Sequence, residues 1–212
     1  MVTLVYTYYN QPETLILQEA LWASYATDVL QKLTLIVVDD GSTIPLATVK
    51  WPGVSLIHLR INEDLLWNQD QARNLAMRFA KGWCFLCDLD HGLPPAAAAE
   101  LTQTQFKLGS WYKPWRTHRG VSLNPPANIY LLHADQFADL KGYPPASGYG
   151  TDRFFLRSLQ SVLSHPIPLF KELPLSERLQ VLSSRDASAK SDRKQPPARL
   201  ESYRPFTWCR IT

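Results

Sequence analysis

The feature that most constrains this chain is a regular alternation of apolar runs with segments of helical periodicity over its first 95 residues. The apolar runs are rich in β-branched and aromatic residues, which favour strands. They occupy residues 2–9, 33–38, 54–60 and 83–89. Helical periodicity covers residues 13–33, after Gln11–Pro12, and residues 68–81. Continuous apolar strands that alternate with helices are typical of a mostly parallel sheet covered on both faces, so we predict an α/β fold.

The pattern becomes less regular after residue 95, although it still predicts defined elements. Helices are predicted at 96–107, 134–140 and 151–163, and a strand is predicted at 128–133. The dense Gly and Pro residues of 142–150 predict a loop. From about residue 171 the sequence is polar and charged. We therefore predict one domain over residues 1–170, with halves at 1–95 and 96–170, and a polar tail or lid at 171–212.

Length and charge limit the classes of protein to which the chain can belong. Its 212 residues suffice for one domain with a sizeable core. The formal net charge of +3 is too small to indicate a nucleic-acid or membrane partner, although it suits a ligand that carries phosphate. No apolar stretch reaches the roughly 18 residues that a membrane span needs, and the N-terminus lacks the layout of a signal peptide. We therefore predict a cytoplasmic protein without a transmembrane segment.

Two of the three cysteines lie close together in one predicted strand. Cys84 and Cys87 have the spacing of a CxxC pair, but inside an apolar strand they would face opposite sides of the sheet. We interpret them as two small core residues of a reduced cytoplasmic protein. A metal-binding or redox pair is the alternative.

Three predicted strands end in polar groups, at Thr7–Asn10, Asp39–Ser42 and Asp88–His91. Ligands of parallel α/β sheets bind just outside the carboxyl ends of the strands, so these groups are expected along one edge. No glycine-rich phosphate loop follows the first strand, which argues against classical dinucleotide or P-loop binding. A divalent cation held by Asp88 and Asp90 is then the simplest way to neutralise a phosphate, because Mg²⁺ and Mn²⁺ prefer carboxylate oxygens. The alternative is a turn in which both carboxylates accept hydrogen bonds from backbone amides.

The order of three motifs narrows the interpretation. The sequences VYTYYN (5–10), IVVDDGS (36–42) and QARNLAMRFAKGWCFLCDLDHGLP (71–94) together resemble the first half of the family 2 glycosyltransferases, which have the GT-A fold. A second segment, residues 128–157, is similar to the part of these enzymes, including the β-galactosyltransferases, that carries a G-x-G-x-E-D motif. The resemblance implies a Rossmann-like, mostly parallel sheet flanked by helices in a single domain. One departure is that Thr151 stands where the family usually has Glu, next to a retained Asp.

The resemblance implies an enzyme that moves a sugar from a nucleoside diphosphate donor to an acceptor hydroxyl with inversion, a glycosyltransferase of the hexosyltransferase type. The acceptor would be a glycan, a lipid or another hydroxyl compound. The resemblance further implies that Asp152 is the general base and that Asp90, with Asp88, holds Mn²⁺ or Mg²⁺. The implied nucleotide-binding residues are Thr7, Tyr9, Asp39, Arg73 and Asp88. Tyr9 would stack on the base and Asp39 would accept an imide N–H, which favours a UDP or dTDP donor over one that carries cytosine.

Four other residues each have two interpretations. Trp111 and Trp115 fall between the two similar segments, where acceptor loops occur, but large aromatic residues also fill cores. His91 and His165 are further candidate metal ligands, although imidazole usually binds softer ions than Mg²⁺ or Mn²⁺.

Two other functions compete with sugar transfer. A nucleotide-sugar-binding protein without transferase activity would explain the Thr at position 151, and Asp152 would then only cap the helix that starts near Arg153. A nucleotidyltransferase also uses a metal and a Rossmann-like sheet. It usually has a glycine-rich basic loop after the first strand, however, and TYYNQPETL (7–15) is not such a loop.

Overall fold

The computed structural model describes residues 1–65, 67–126, 128–147, 152–163, 165–182, 201–202 and 205–211. Its helices are α1 (Pro12–Ala23), α2 (Thr27–Leu30), α3 (Gln69–Met77), α4 (Pro95–Gln103), α5 (Ala134–Asp139) and α6 (Asp152–Val162), with a 3₁₀ turn at Leu175–Glu177. None of the helices in this described part is long and apolar enough to cross a membrane. Its strands are β1 (Val2–Tyr8), β2 (Leu33–Asp40), β3 (Leu56–Ile61), β4 (Trp83–Asp88), β5 (His91–Gly92), β6 (Tyr112–Pro114), β7 (Arg116–His118), β8 (Val121–Leu123), β9 (Tyr130–His133), β10 (Ala146–Ser147), β11 (Ile167–Leu169), β12 (Leu179–Val181), β13 (Glu201–Ser202) and β14 (Trp208–Arg210).

An eight-stranded sheet with the order β11-β6-β9-β4-β1-β2-β3-β14 forms the centre of the molecule. The pairs β1–β2, β2–β3, β1–β4 and β6–β11 are parallel, whereas β9 and β14 run antiparallel to their neighbours. The sheet is therefore mostly parallel and flanked by helices, as predicted, and the carboxyl ends of β1, β2 and β4 lie at one edge. Two smaller sheets pair β10 with β13 and join β5, β12, β7 and β8.

Helices on the two faces of the main sheet bury separate apolar cores. The first core contains Trp22 from α1, and the second contains Leu75 from α3. Cys87 belongs to the first core and Cys84 to the second, so the two thiols face opposite sides of β4. Both are buried and free, which confirms their interpretation as core residues.

The segment predicted as a single helix at 13–33 forms two helices. The first, α1, starts at Pro12, whose fixed φ suits the first turn and whose missing N–H costs nothing there. The helix ends before Tyr25, whose buried ring turns into the core and whose hydroxyl donates to the Leu93 carbonyl at 2.6 Å. This tertiary contact lies outside the local sequence pattern, which is why the pattern did not predict the break.

Helix α3 is shorter than the predicted segment 68–81. Arg78 and Phe79 donate their N–H groups to carbonyls three residues earlier, so the helix ends in a tightened turn. Gly82 follows with a φ of 65°, a left-handed conformation that glycine adopts without strain, and the chain then enters β4.

The described segments after residue 171 contribute strands to every sheet. The strand β12 pairs with β5 and β7, β13 pairs with β10, and β14 extends the main sheet beyond β3. The N–H of Leu182 also donates to the Asp90 carbonyl at 2.9 Å. Much of the predicted tail, residues 183–200, lies outside the described residues. The division into a domain and a tail at residue 170 stays a prediction.

Trp22 provides a test of the first core. Its indole is fully buried, with ring centroids 5.7 Å from Tyr6 and 5.8 Å from Trp51. We expect Trp22→Ala to lower the free energy of unfolding by about 3–5 kcal/mol, because the substitution leaves a cavity. Ile16→Ala, on the same helix but 63% exposed, should change it by less than about 0.5 kcal/mol. Urea unfolding followed by circular dichroism measures both, and equal losses in the two variants would contradict the role of Trp22.

Candidate functional site

The strand register brings the polar ends of β1, β2 and β4 together. Thr7 in β1 lies beside Val38 of β2 and beside Asp88 of β4. One position further along, Tyr8 lies beside Asp39, which in turn lies beside Arg60 of β3. The three polar strand ends therefore share one edge of the sheet, as predicted.

Two loops at this edge are joined by hydrogen bonds. Asn10 has a left-handed φ of 45°, donates its N–H to Ser42 Oγ at 3.1 Å and accepts the N–H of Thr43 at 3.0 Å. Gly41 has a φ of 70°, and a Cβ at this position would lie only 2.1 Å from the Glu63 carbonyl oxygen. Glycine is therefore required both by the backbone conformation and by the close approach of the two segments.

Asp39 and Asp40 face opposite sides of the sheet, because β2 continues through both, two residues past its predicted end at residue 38. Asp39 is fully buried and accepts two backbone N–H groups, each at 2.9 Å, as well as the guanidinium of Arg60. Asp40 accepts a hydrogen bond from Asn68 Nδ2 at 2.9 Å. The sequence motifs do not point to Arg60, although it is the charged partner of Asp39.

Tyr9 and Arg60 are two partly exposed side chains near the ends of β1 and β2. Tyr9 is half-buried, and its hydroxyl donates to Asp64 Oδ2 at 3.1 Å. The side chain of Arg60 is 16% exposed. Beside them, burial lowers the pKa of His58 and outweighs the opposing effect of Asp39. His58 is therefore neutral near pH 7, and Arg60 is the positive charge at this point.

Asp88 accepts hydrogen bonds from three side chains on two separate parts of the chain. Gln69 Nε2 and Arg73 Nη2 each donate to Oδ1 at 2.6 Å, and Asn128 Nδ2 donates to Oδ2. Gln69 and Arg73 are four residues apart on α3, so both project from the same side of the helix. The side chain of Arg73 is only 1% exposed. The structure therefore places Arg73 behind Asp88 rather than on the ligand surface that the sequence suggested for it.

The turn from β4 to β5 places Asp90 next to His91. His91 Nδ1 lies 2.8 Å from Asp90 Oδ1, and His91 Nε2 lies 3.0 Å from Arg116 Nη1. Because a guanidinium can only donate, Nε2 accepts and Nδ1 carries the proton donated to Asp90. Gln18 of α1 is buried and donates to the carbonyls of Leu89 and His91 at 2.7 Å each, which fixes the turn. No sequence motif points to Gln18 or Arg116.

Asp88, Asp90 and His91 form a candidate cation site. One ligand atom of each residue lies within 4.8 Å of those of the other two, and all three residues are buried. Two carboxylates suit Mg²⁺ or Mn²⁺. Both ring nitrogens of His91 are engaged, by Asp90 and by Arg116, so His91 would bind an ion only after one of these contacts is broken. The donor set therefore fits a divalent cation. His165 is exposed and does not belong to this cluster in the described part of the chain.

Asp152 is the first residue of α6 and is half-buried. The glycine-containing segment before it, residues 148–151, lies outside the described residues. Burial lowers the pKa of Lys113 to about 8, against the opposing effect of Asp152 and with a smaller contribution from Arg116. Asp152 is therefore close enough to Lys113 of β6 to interact with it. Its role as a base stays a prediction.

The two tryptophans proposed for the acceptor differ in exposure. Trp111 is fully buried, and its ring lies 6.4 Å from that of Tyr130. It is a core residue and offers no face to an acceptor. Trp115 is half-buried, and the guanidinium carbon of Arg178 lies 5.9 Å from its ring centroid. Trp115 is thus the tryptophan that stays an acceptor candidate.

No family model matches the chain, and neither does any curated protein. Solved structures do match. The structure of S. aureus TarS 1-349 superposes with a TM-score of 0.64 and 12% identity, covering 85% of this chain and 60% of that chain. The complex of S. aureus TarS 1-349 with UDP-GlcNAc has a TM-score of 0.61 and 14% identity, covering 84% of this chain and 57% of that chain. The mannosyltransferase PcManGT from Pyrobaculum calidifontis, in complex with GDP-Man and Mn²⁺, has a TM-score of 0.63 and 15% identity, covering 91% of this chain and 60% of that chain.

These matches concern the architecture. The chain spans 57–60% of the length of these three structures. At 12–15% identity, the likeness shows a shared fold and nothing finer. The chain therefore has the mixed α/β architecture, with a large and mostly parallel sheet flanked by helices, that TarS and PcManGT also have.

Proposed function

We propose that this protein is a metal-dependent inverting glycosyltransferase, which moves a hexosyl group from a nucleoside diphosphate donor, with UDP favoured, to an acceptor hydroxyl. The observation that carries the proposal is the cluster of Asp88, Asp90 and His91 at the carboxyl edge of a parallel sheet. The polar ends of β1 and β2 lie beside this cluster. Solved structures of the same fold hold UDP-GlcNAc in one case and GDP-Man with Mn²⁺ in another.

Asp90 and Asp88, with His91 as a third candidate ligand, would hold Mn²⁺ or Mg²⁺. A bound divalent cation supplies positive charge that stabilises the departing diphosphate. The protein itself fixes the candidate ligands, because Gln18 holds the backbone of the turn on which Asp90 and His91 lie. The Nη1 atom of Arg116 lies 3.0 Å from His91 Nε2, so its guanidinium adds a positive charge beside the candidate cation site.

Tyr9 and Asp39 form the proposed nucleoside site, with Thr7 in register beside Asp88. The partly exposed ring of Tyr9 can stack on a base. Among the described residues Asp39 Oδ1 accepts a single hydrogen bond, so it has capacity for the imide N–H of uracil, which cytosine lacks. Because Asp39 is fully buried, binding of the base requires neighbouring groups such as Arg60 to move. TarS binds UDP whereas PcManGT binds GDP-Man, so residues of this kind, and not the fold, must select the nucleoside.

Asp152 is the proposed general base. As the acceptor oxygen bonds to C1 of the sugar, Asp152 takes the hydroxyl proton, and the bond from C1 to the diphosphate oxygen breaks on the opposite face. The configuration at C1 is inverted, and the nucleoside diphosphate leaves. A glycan, a lipid or another hydroxyl compound would serve as acceptor, with Trp115 as the aromatic surface for it.

A nucleotide-sugar-binding protein without transferase activity is the second candidate. The sequence feature that favours it is Thr151, which replaces the Glu of the motif that the segment resembles. Such a protein would bind the donor and the metal as the enzyme does. The two candidates therefore differ in the effect of Asp152 on turnover, not in donor binding.

Asp90→Asn tests the cation site. The amide has nearly the same shape as the carboxylate but no charge, so we expect Mn²⁺-dependent UDP binding to weaken by at least about tenfold while the melting temperature changes little. Isothermal titration calorimetry with UDP, with and without Mn²⁺, measures this. Asp28→Asn, exposed on α2, is the matched control and should bind as the wild type does. Equal Mn²⁺-dependent affinity in Asp90→Asn and the wild type would show that this turn binds no cation.

Tyr9→Ala tests the nucleoside site. Removing the ring should weaken UDP binding by about 1–3 kcal/mol, which is the usual contribution of an aromatic side chain stacked on a base. Tyr9→Phe keeps the ring but loses the hydroxyl bond to Asp64, so it should bind UDP nearly as well as the wild type. Calorimetry with UDP and CDP, run in parallel, also tests Asp39. Equal affinities of the wild type for the two nucleotides would contradict recognition of an imide N–H.

Asp152→Asn separates an enzyme from a binding protein. An amide fills the space of the carboxylate but cannot take the hydroxyl proton, so transfer should fall by at least about 10²–10⁴-fold with unchanged affinity for UDP and Mn²⁺. Release of UDP in the presence of acceptor measures transfer. The control is Asp135→Asn, whose side chain is 87% exposed on α5. Near-wild-type transfer by Asp152→Asn would place the base elsewhere, and a parallel loss of UDP affinity would make Asp152 a donor-site residue.

A further inference from the structure

Arg73 connects the donor side of the site to a buried tyrosine. One arm of its guanidinium donates to Asp88 Oδ1 at 2.6 Å, and the other donates to the hydroxyl of Tyr143 at 3.2 Å. The guanidinium carbon lies 5.9 Å from the centroid of the Tyr143 ring, within range of a cation–π contact. The buried guanidinium of Arg73 thus connects Asp88 to the segment between α5 and α6.

Helix α3 also holds the backbone of that segment. Asn74 donates from Nδ2 to the Tyr143 carbonyl at 3.0 Å and accepts the Tyr143 N–H at 2.9 Å, while Gln71 Nε2 donates to the Pro144 carbonyl at 2.7 Å. Gly142 has a φ of 63°, and a Cβ there would lie 2.5 Å from Asn74 Oδ1. The absence of a side chain at Gly142 therefore lets Asn74 approach the backbone, and Tyr143 is fixed through both its main chain and its hydroxyl.

The ring of Tyr143 packs against helix α6 on its other side. The centroid of the Tyr143 ring lies 4.7 Å from that of Phe155, which is 1% exposed. Phe155 follows Asp152 by three residues, so the two lie nearly one helical turn apart on α6. Tyr130 stacks on the same Phe155 ring at 5.9 Å, and its hydroxyl is hydrogen-bonded to that of Tyr143. Burial raises the pKa of Tyr143 to about 12, so this hydroxyl is protonated at neutral pH.

We propose that Tyr143 is a positioning residue that transmits the placement of Arg73 and Asp88, on the donor side, to helix α6 and hence to Asp152. Tyr143 is 2% exposed, so it acts through packing and hydrogen bonds rather than by touching a substrate. The catalytic part of this inference rests on the proposed function, because alignment of Asp152 with the donor matters for turnover only if Asp152 is the base. A misplacement of about 1 Å in such an alignment is enough to lower a rate by roughly 10²-fold.

Tyr143→Phe tests the inference by turnover. The variant keeps the ring on Phe155 and loses only the hydroxyl that Arg73 and Tyr130 bind. We expect kcat for sugar transfer to fall about 10- to 100-fold, while KM for the donor and the affinity for UDP with Mn²⁺ change less than about twofold. This split distinguishes a positioning role from a loss of folded protein or of donor binding.

The matched control is Tyr112→Phe. Tyr112 is also a buried tyrosine, and its hydroxyl accepts the Lys107 N–H at 2.8 Å. Its ring packs on Trp83 at the start of β4, far along the strand from Asp88. This variant should keep the wild-type kcat. Equal kcat values in Tyr143→Phe and Tyr112→Phe would overturn the proposal.

Amide hydrogen exchange of the ligand-free protein tests the connection without any catalysis. Tyr143→Phe should accelerate exchange in α6 by at least about threefold, because the ring that packs on Phe155 loses the hydroxyl bonds that anchor it to Arg73 of α3 and Tyr130 of β9. Exchange in β2 should stay unchanged, since neither hydroxyl partner lies on that strand. Tyr112→Phe should change neither segment. Unaltered exchange in α6 of Tyr143→Phe would overturn the connection. If the wild type transferred no sugar, the proposed function would fail, but the exchange measurement would still decide whether Tyr143 positions α6.

Discussion

The ion pair between Arg73 and Asp88 holds the candidate site together, and both of its side chains are almost fully buried. Removing two charges from water costs several kcal/mol per ion, which their attraction offsets only when the other polar atoms also have partners. Gln69 and Asn128 supply such partners to Asp88, and Tyr143 supplies one to Arg73. Among the described residues Arg73 Nε has no partner, so part of the cost stays uncompensated. Because of this desolvation cost, the Arg73–Asp88 ion pair is explained better by the side chains that it positions than by a contribution to the free energy of unfolding.

Segments that are distant in sequence surround the turn that carries Asp90. Gln18 donates to the Leu89 and His91 carbonyls of the turn, and Leu182 donates its N–H to the Asp90 carbonyl. The strand β12, just before Leu182, pairs with the strand that begins at His91. The candidate cation site therefore depends on the first helix and on a strand from the last part of the chain. A change in either would reach the site through the backbone of the turn.

The distribution of positive charge says more about a ligand than the net charge does. The formal charge of +3 is small, yet Arg60 pairs with Asp39, Lys113 interacts with Asp152, and Arg116 lies 3.0 Å from His91 Nε2. Each is at least partly buried, where charges are screened less by salt than they are on an open surface. Positive charges beside carboxylates are what the proposed function requires of a site that takes a diphosphate together with a divalent cation.

Local sequence patterns predicted the fold class and the edge at which the site lies. Continuous apolar strands alternating with helices require a covered parallel sheet, and the carboxyl ends of parallel strands necessarily meet at one edge, which brings Asp39 and Asp88 together. The i, i+4 spacing of Gln69 and Arg73 in the sequence also indicates that the two side chains lie on one side of a helix and can reach the same target.

Only the tertiary structure decided which side chains complete the site. Gln18 contacts carbonyls 71 and 73 residues away, and Asn128 contacts Asp88 across 40 residues. Periodicity cannot reveal such pairs, because it records which face of an element is buried and not which element covers it. The same reason accounts for the burial of Trp111 in the core, the burial of Arg73 behind Asp88 and the strands formed after residue 171. The sequence by itself determined the sheet and its polar edge, whereas the packing of distant elements decided how each carboxylate is held there.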